Sequence, residues 1–421
     1  MAQQEFHLFL LGLAILMMAG PSAAALVDHF SDTYQEADES FRQTCASMEG
    51  ATLREYVHKG LGGFLDETLS TRVCTFGPEN AATVLFAISG VHGAEMFAPA
   101  AVQLQIMTDT SSNPPGRYAL PDNVRAVIVH GLEPWGASWG FKENEDNIDT
   151  LKNLNGFYEL SYNDTLLRSF IDDLDIAHLN DPAVQAQAQA VFQDYSEIYG
   201  SAFFFALARG QWSREIGIAF YGTAETWSRR VLRDVVDRYL DRSVVKNVLL
   251  LDLHSAAGDF GDWLVAAYDS ASQDALFRWV NQSGIDKAIE PIESAGVSTD
   301  PYPYYQFIVD QLGDKLVYRV LWEAGTYPQD EYQQALTLGV HCRYYEDLRG
   351  DYCQSIISQI RTYFYPNLPE WKASLQTRLP DTFDLVKYGL EEMAALTSSS
   401  VLFSPSLLLV SFITCIILSE I

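Results

Sequence analysis

Four runs rich in Val, Leu and Ile set the terms for this fold: TVLFAIS (83–89), VRAVIVHG (124–131), VVKNVLLLDLH (244–254) and KLVYRVLWEAG (315–325). Each is apolar almost throughout rather than at alternate positions, the pattern of a strand covered on both faces. Between them lie stretches with helical signals. DPAVQAQAQAVFQDYSEIYGSAFFFALA (181–208) opens on Asp-Pro, a cap followed by a first-turn proline. TAETWSRRVLRDVVDRYL (223–240) has a Thr cap, a Glu in its first turn and apolar residues at helical spacing, and EDLRGDYCQSIISQIRTYF (346–364) reads as a late helix. Strands alternating with helices predict an α/β fold, with a mixed, mostly parallel central sheet and helices on both faces. No repeat or low-complexity linker interrupts the chain, so a single domain over 26–390 is expected.

The two ends read as addresses. Residues 1–25 combine a short apolar stretch with Ala23, Ala24 and Ala25, as in a secretory signal peptide. Residues 391–421 pass from small residues to an apolar run with no Lys or Arg after it. That predicts a GPI-attachment signal, with a single transmembrane anchor as the alternative, and places the domain on the extracellular face of a membrane. The formal net charge of −28 repels phosphate backbones and excludes a nucleic-acid partner. Four cysteines precede the tail, Cys45, Cys74, Cys342 and Cys353. Proximity favours Cys45–Cys74 and Cys342–Cys353 among the possible pairings. NDT at Asn163 and NQS at Asn281 are glycan acceptors expected on exposed loops.

The chemistry lies in how the apolar runs end. The first ends in GVHGAE, with His92 and Glu95; the third in LDLHSAAG, with His254; the last in LWEAGT, with Glu323. In open α/β sheets, ligands gather at the carboxyl ends of strands. Two imidazoles and a carboxylate with an open fourth position make a catalytic site for one zinc ion. The remaining glutamate, Glu323, is then the candidate base for a water activated there. A His-x-x-Glu pair is common by chance; what makes these four informative is that all follow apolar strands.

Taken in order, GVHGAEM (90–96), HGLEPWGASWGFKENEDNID (130–149), FYGTAETWSRRVLR (220–233), DLHSAAG (252–258) and EAGT (323–326) resemble the zinc carboxypeptidase superfamily, in a poorly characterised carboxypeptidase-like branch. The resemblance runs from about 84 to about 326. It implies that His92, Glu95 and His254 hold zinc, that Glu323 is general base and then proton donor, and that Asp149 orients the first zinc histidine. The implied substrate is a peptide C-terminus or an N-acyl amino acid.

Departures from the family pattern fall on substrate residues. The family's Asp-Leu-Asn-Arg becomes Asp149, Thr150, Leu151, Lys152. Leu151 cannot hydrogen-bond, and Lys152 offers a point charge where the family has a planar fork for a free carboxylate. Lys142 is the one candidate to replace an arginine that polarises the scissile carbonyl, and Asn144 joins Lys152 as a substrate-binding candidate. A solvated surface charge is the plainer reading of both lysines. These losses shift the expectation from carboxypeptidase towards deacylase or amidase, and leave a rival in which the chain binds metal without turnover. GASWG (136–140) matches the G-x-S-x-G elbow around Ser138, but Pro134 breaks the preceding strand, so serine chemistry is not expected.

Overall fold

The structure is a computed structural model that describes residues 25–156, 163–285, 287–289 and 304–398. The expected signal peptide, apart from Ala25, and the end of the expected anchor from 399 onward lie outside the described residues. No helix among the described residues is long and apolar enough to cross a membrane.

A single seven-stranded sheet carries the fold. Its strands are β1 Thr52–Gly62, β2 Thr68–Phe76, β3 Thr83–Ser89, β4 Val124–His130, β5 Asn247–Ala256, β6 Trp263–Ala267 and β7 Leu316–Gly325, in the order β1-β2-β4-β3-β5-β7-β6. The four apolar runs are the four central strands, and they pair in parallel. The edge strands add antiparallel pairs: β1 with β2, β2 with β4, and β6 with β7. The sheet is therefore mixed as expected, with its parallel part confined to the centre. These edges escaped sequence reading because β1 is mostly exposed and β2 and β6 lack a long apolar run.

Burial explains the continuous apolar pattern. On β3, Leu85 and Ala87 face one layer with helices Phe97–Ser111, Ser270–Ser283 and Pro369–Ser398. Val84, Phe86 and Ile88 face the other, against helices Trp227–Tyr239 and Gln306–Leu312. Successive residues point to opposite faces, and both faces are covered, so every position wants an apolar side chain.

A third cluster forms a helical wall beyond the carboxyl ends of the central strands. Its helices include Thr165–Asp172, Pro182–Tyr199, Ser201–Arg209, Gln329–Tyr345 and Asp351–Phe364. Two expectations change here. The stretch 181–208 is two helices, broken at Gly200, whose φ of 51° and ψ of −131° do not continue a helix. The late helix starts at Asp351 rather than 346. The last helix continues past residue 390 to Ser398, with Met393 and Ala394 buried in the core. Both expected disulfides form, Cys45–Cys74 tying the helix Tyr34–Ser47 to β2 and Cys342–Cys353 joining two wall helices. Asn163 is exposed outside regular structure, whereas Asn281 is exposed on the last turn of a helix rather than on a loop.

Candidate metal centre

The centre of the sheet is a topological switch point: from β3 the chain passes to β4 on one side and later returns to β5 on the other. A crevice opens at the carboxyl ends of such strands. β3 ends at Ser89, and the turn that follows brings His92 and Glu95 into it. Gly90 has a φ of +68°, which a side chain resists. A Cβ on Gly93 would lie 2.2 Å from the carbonyl carbon of Gly136, so only glycine lets the two segments meet. The backbone N–H groups of Gly93 and Ala94 donate to the carbonyls of Lys142 and Phe141 at 3.0 and 2.8 Å, which fastens the turn to the loop carrying Lys142.

His92, Glu95 and His254 converge, each with a donor atom within 4.8 Å of the others, and all three are buried. The Nδ1 atoms of both imidazoles face the same carboxylate: His92 Nδ1 is 2.9 Å from Glu95 Oε1, and His254 Nδ1 is 2.7 Å from Glu95 Oε2. Each Nε2 faces another acid. His92 Nε2 is 3.1 Å from Asp149 Oδ1. His254 Nε2 is 2.9 Å from Asp252 Oδ1, an ion-pair contact in which neither atom makes an aligned hydrogen bond. With a hydrogen on each Nε2 alone, both Nδ1 lone pairs would face the Glu95 carboxylate. This is the arrangement of metal-ligating histidines whose far nitrogen is held by a carboxylate. The donor set of two imidazoles and one carboxylate fits zinc. Burial opposes ionisation of Glu95, yet the two histidines hold its carboxyl well below the ordinary range. Burial likewise opposes the charge on His254, and Asp252 and Glu95 overcome it and raise the imidazole well above its usual value.

Glu323 completes the group. It is the register partner of His254 across the parallel β5–β7 pair, so the two side chains share one face. It is 5% exposed and accepts a hydrogen bond from the Ala257 N–H at 2.8 Å. Burial, followed by the nearby Glu95 charge, pushes its carboxyl up to about 7, against the pull of His254.

Asp149 receives more than the sequence suggested. Fully buried, it caps the helix Thr150–Asn155 by accepting from the Lys152 N–H, and it faces His92 and both lysine ammonium groups, Lys142 at 2.5 Å and Lys152 at 2.9 Å. Burial works against the charge, but Lys142, Lys152 and His92 hold the carboxyl well below its usual range. The solvated-surface reading of the lysines does not hold: Lys152 is 5% exposed and burial lowers its ammonium pKa. Asn144 is also buried, but its Oδ1 accepts from the Asp146 and Ile148 N–H groups, so this oxygen shapes the loop. Ser138 donates to Glu67 and accepts from the Phe64 N–H, in a short helix with no histidine partner among the described residues.

Lys142, Lys152, Leu151 and Tyr304 share the walls of the cleft with the metal set, whereas Asn144 is not among them. Sequence reading missed Asp252, fully buried and bonded by Tyr268 Oη at 2.6 Å. Its signal was an acid two residues before His254 in an apolar strand, hence on the same face. Glu143 and Gln333 were also missed. Both are buried in the cleft wall, and neither side chain has a hydrogen-bond or ion-pair partner among the described residues.

The family described as "Protein of unknown function (DUF2817)" matches residues 30–378. No curated protein sequence matches. Solved structures with a similar chain path include carboxypeptidase A from Helicoverpa armigera, at 14% identity over 94% of this chain and 81% of that one, with a TM-score of 0.42. A metallo-carboxypeptidase from Burkholderia cenocepacia matches at 11% identity over 80% and 70%, with a TM-score of 0.32. A succinylglutamate desuccinylase from Silicibacter sp. matches at 14% identity over 70% and 65%, with a TM-score of 0.33.

Proposed function

Because this chain belongs to the DUF2817 family, whose description assigns no activity, its function is to be read from the site, and we propose that it is a zinc-dependent hydrolase of amide bonds. One observation carries the reading: two imidazole Nδ1 atoms and one carboxylate converge in a buried cleft, with a second, unligated glutamate in register beside them. Zinc held by His92, Glu95 and His254 would supply a Lewis acid and lower the pKa of a water.

The chain's own residues supply the rest. Glu323, in register beside His254, takes the proton of the attacking water and later returns it to the leaving amine. Asp149 and Asp252 hold the imidazoles in the ligating tautomer. Lys142 and Lys152 neutralise Asp149 in a site that excludes bulk water. Both cations of the cleft wall are thereby committed to Asp149. A free substrate carboxylate meets no unpaired cation among the described lining residues. The reading therefore favours amides whose recognition does not depend on a terminal carboxylate. Two disulfides support an oxidising compartment, in keeping with a secreted protein held at the cell surface by its C-terminal segment.

The test is zinc content of the purified chain together with amine release from N-acyl amino acids and blocked peptides. About one zinc per chain with chelator-sensitive release supports the reading. A chain that takes up no zinc after incubation with it overturns it.

A further inference from the structure

Next to the metal centre lies a second cavity, and Gln333 belongs to the walls of both. The second cavity holds about 400 Å³, within the range of about 300–1,000 Å³ usual for ligand pockets. Helix Pro182–Tyr199 lines it with Gln185, Gln189 and Gln193, and helix Gln329–Tyr345 faces them with Gln333 and Gln334; Phe192 is among its apolar lining residues. The spacing of four puts the first three glutamines on one helical face. None of the described lining residues is charged.

Two features point to its ligand. Gln333 is 6% exposed, yet its side-chain amide has no hydrogen-bond partner among the described residues. Its amide faces the cavity space and is left for a ligand to pair with. Gln185 already donates to Leu179 O and Tyr352 Oη, and Gln189, Gln193 and Gln334 are exposed, so Gln333 is the buried amide that keeps its donors and acceptor for a ligand, a match for the N–H and C=O groups of a peptide. A hydrocarbon chain would leave Gln333 unmatched, and a charged group would find no counter-ion among the described lining residues.

Resting on the hydrolase reading, we propose that this cavity is a substrate subsite for an uncharged peptide segment adjoining the scissile amide, with Gln333 bonding its backbone where the subsite meets the metal centre. This places the substrate among blocked or internal peptides of neutral residues rather than N-acyl amino acids.

The experiment measures binding of fluorescent blocked peptides to the full chain carrying Glu323→Gln, so that none is consumed. A neutral tetrapeptide is compared with one containing Glu and with a long-chain fatty-acyl glycine. Ala188, on the cavity wall, is changed to Trp to fill the space, and Gln333 separately to Leu. The neutral peptide is expected to bind at least about tenfold tighter than the acidic one, and each cavity variant to weaken it by about tenfold. Metal content and the thermal unfolding midpoint are expected to stay unchanged. Equal binding of neutral and acidic peptides, or full binding by both variants, overturns the proposal. So does tighter binding of the fatty-acyl glycine that Ala188→Trp abolishes. Zinc measured on the same preparations separates the two readings: a zinc-free chain whose neutral-peptide binding is still lost in Ala188→Trp fails as a hydrolase and keeps its subsite.

Discussion

The sheet edge and the helical wall face each other across one cleft and differ in how their polar groups are matched. On the sheet edge nearly every charged group is met by an opposite charge: both imidazoles lie between carboxylates, and Asp149 lies between two ammonium groups and His92. On the wall the described lining residues of the adjoining cavity are uncharged, and Gln333 is buried without a partner among the described residues. On the proposed hydrolase reading, the difference matches two roles. A catalytic set works only if its atoms are held before substrate arrives, whereas a recognition surface needs groups left for the substrate to satisfy.

The sharpest way to break this contrast is at a ligand. His92→Ala is expected to reduce zinc from about one per chain to near zero and to abolish hydrolysis; metal retained in full would move the centre elsewhere. Glu323→Gln should keep the metal and lower kcat by about 10²–10⁴-fold. A variant that loses zinc as well would make Glu323 a ligand instead of a base.

Stability should separate the two sides next. Lys152→Met leaves Asp149 with one ammonium partner fewer in a dry site, and a cost of about 3–5 kcal/mol is expected in urea unfolding. Gln333→Leu exchanges a buried, unpaired amide for an apolar group of similar size, and a change below about 1 kcal/mol is expected. Equal costs would erase the distinction between matched and unmatched walls.

The smallest effect concerns a carboxylate behind the sheet edge. Glu133 is buried and accepts from Thr150 and Ser228. Burial, then the Glu145 charge, raises it from 4.5 to about 7. Between those values the folded chain keeps a proton that the unfolded chain has released, so stability falls as pH rises through this window. Glu133→Gln is expected to flatten that decline in unfolding midpoints measured between pH 5 and pH 7.5. An unaltered slope would assign the titration to another group. Glu323 shares the same direction of shift, so an elevated carboxylate by itself does not mark the reactive one. The cleft and the facing imidazoles do.

Much of the candidate metal centre was legible because its signals are local. A strand covered on both faces must be apolar along its length, so the four central strands announce themselves, and His92, Glu95, His254 and Glu323 stand at or just beyond their ends. Disulfide pairing was legible for the same reason, since each pair is close in sequence. The edges of the sheet were not, because an exposed antiparallel strand carries a weak pattern. Lys142 and Lys152 were read as candidates to polarise or bind the substrate, with a surface charge as the plainer alternative, because nothing nearby in sequence declares that a fully buried aspartate will collect both.

By itself, then, the sequence determined the four buried strands and the residues delivered at their ends, since burial on both faces and strand termination act over a few residues at a time. The rest was decided by the tertiary structure. The β5–β7 register sets Glu323 beside His254, the packing of Gly93 on Gly136 brings the Lys142 loop onto His92, and the meeting of two distant helices turns scattered glutamines into a lined cavity. The physical reason is the same in each case. A pairing register or an interface between remote segments depends on the whole packed chain, and no local pattern encodes it.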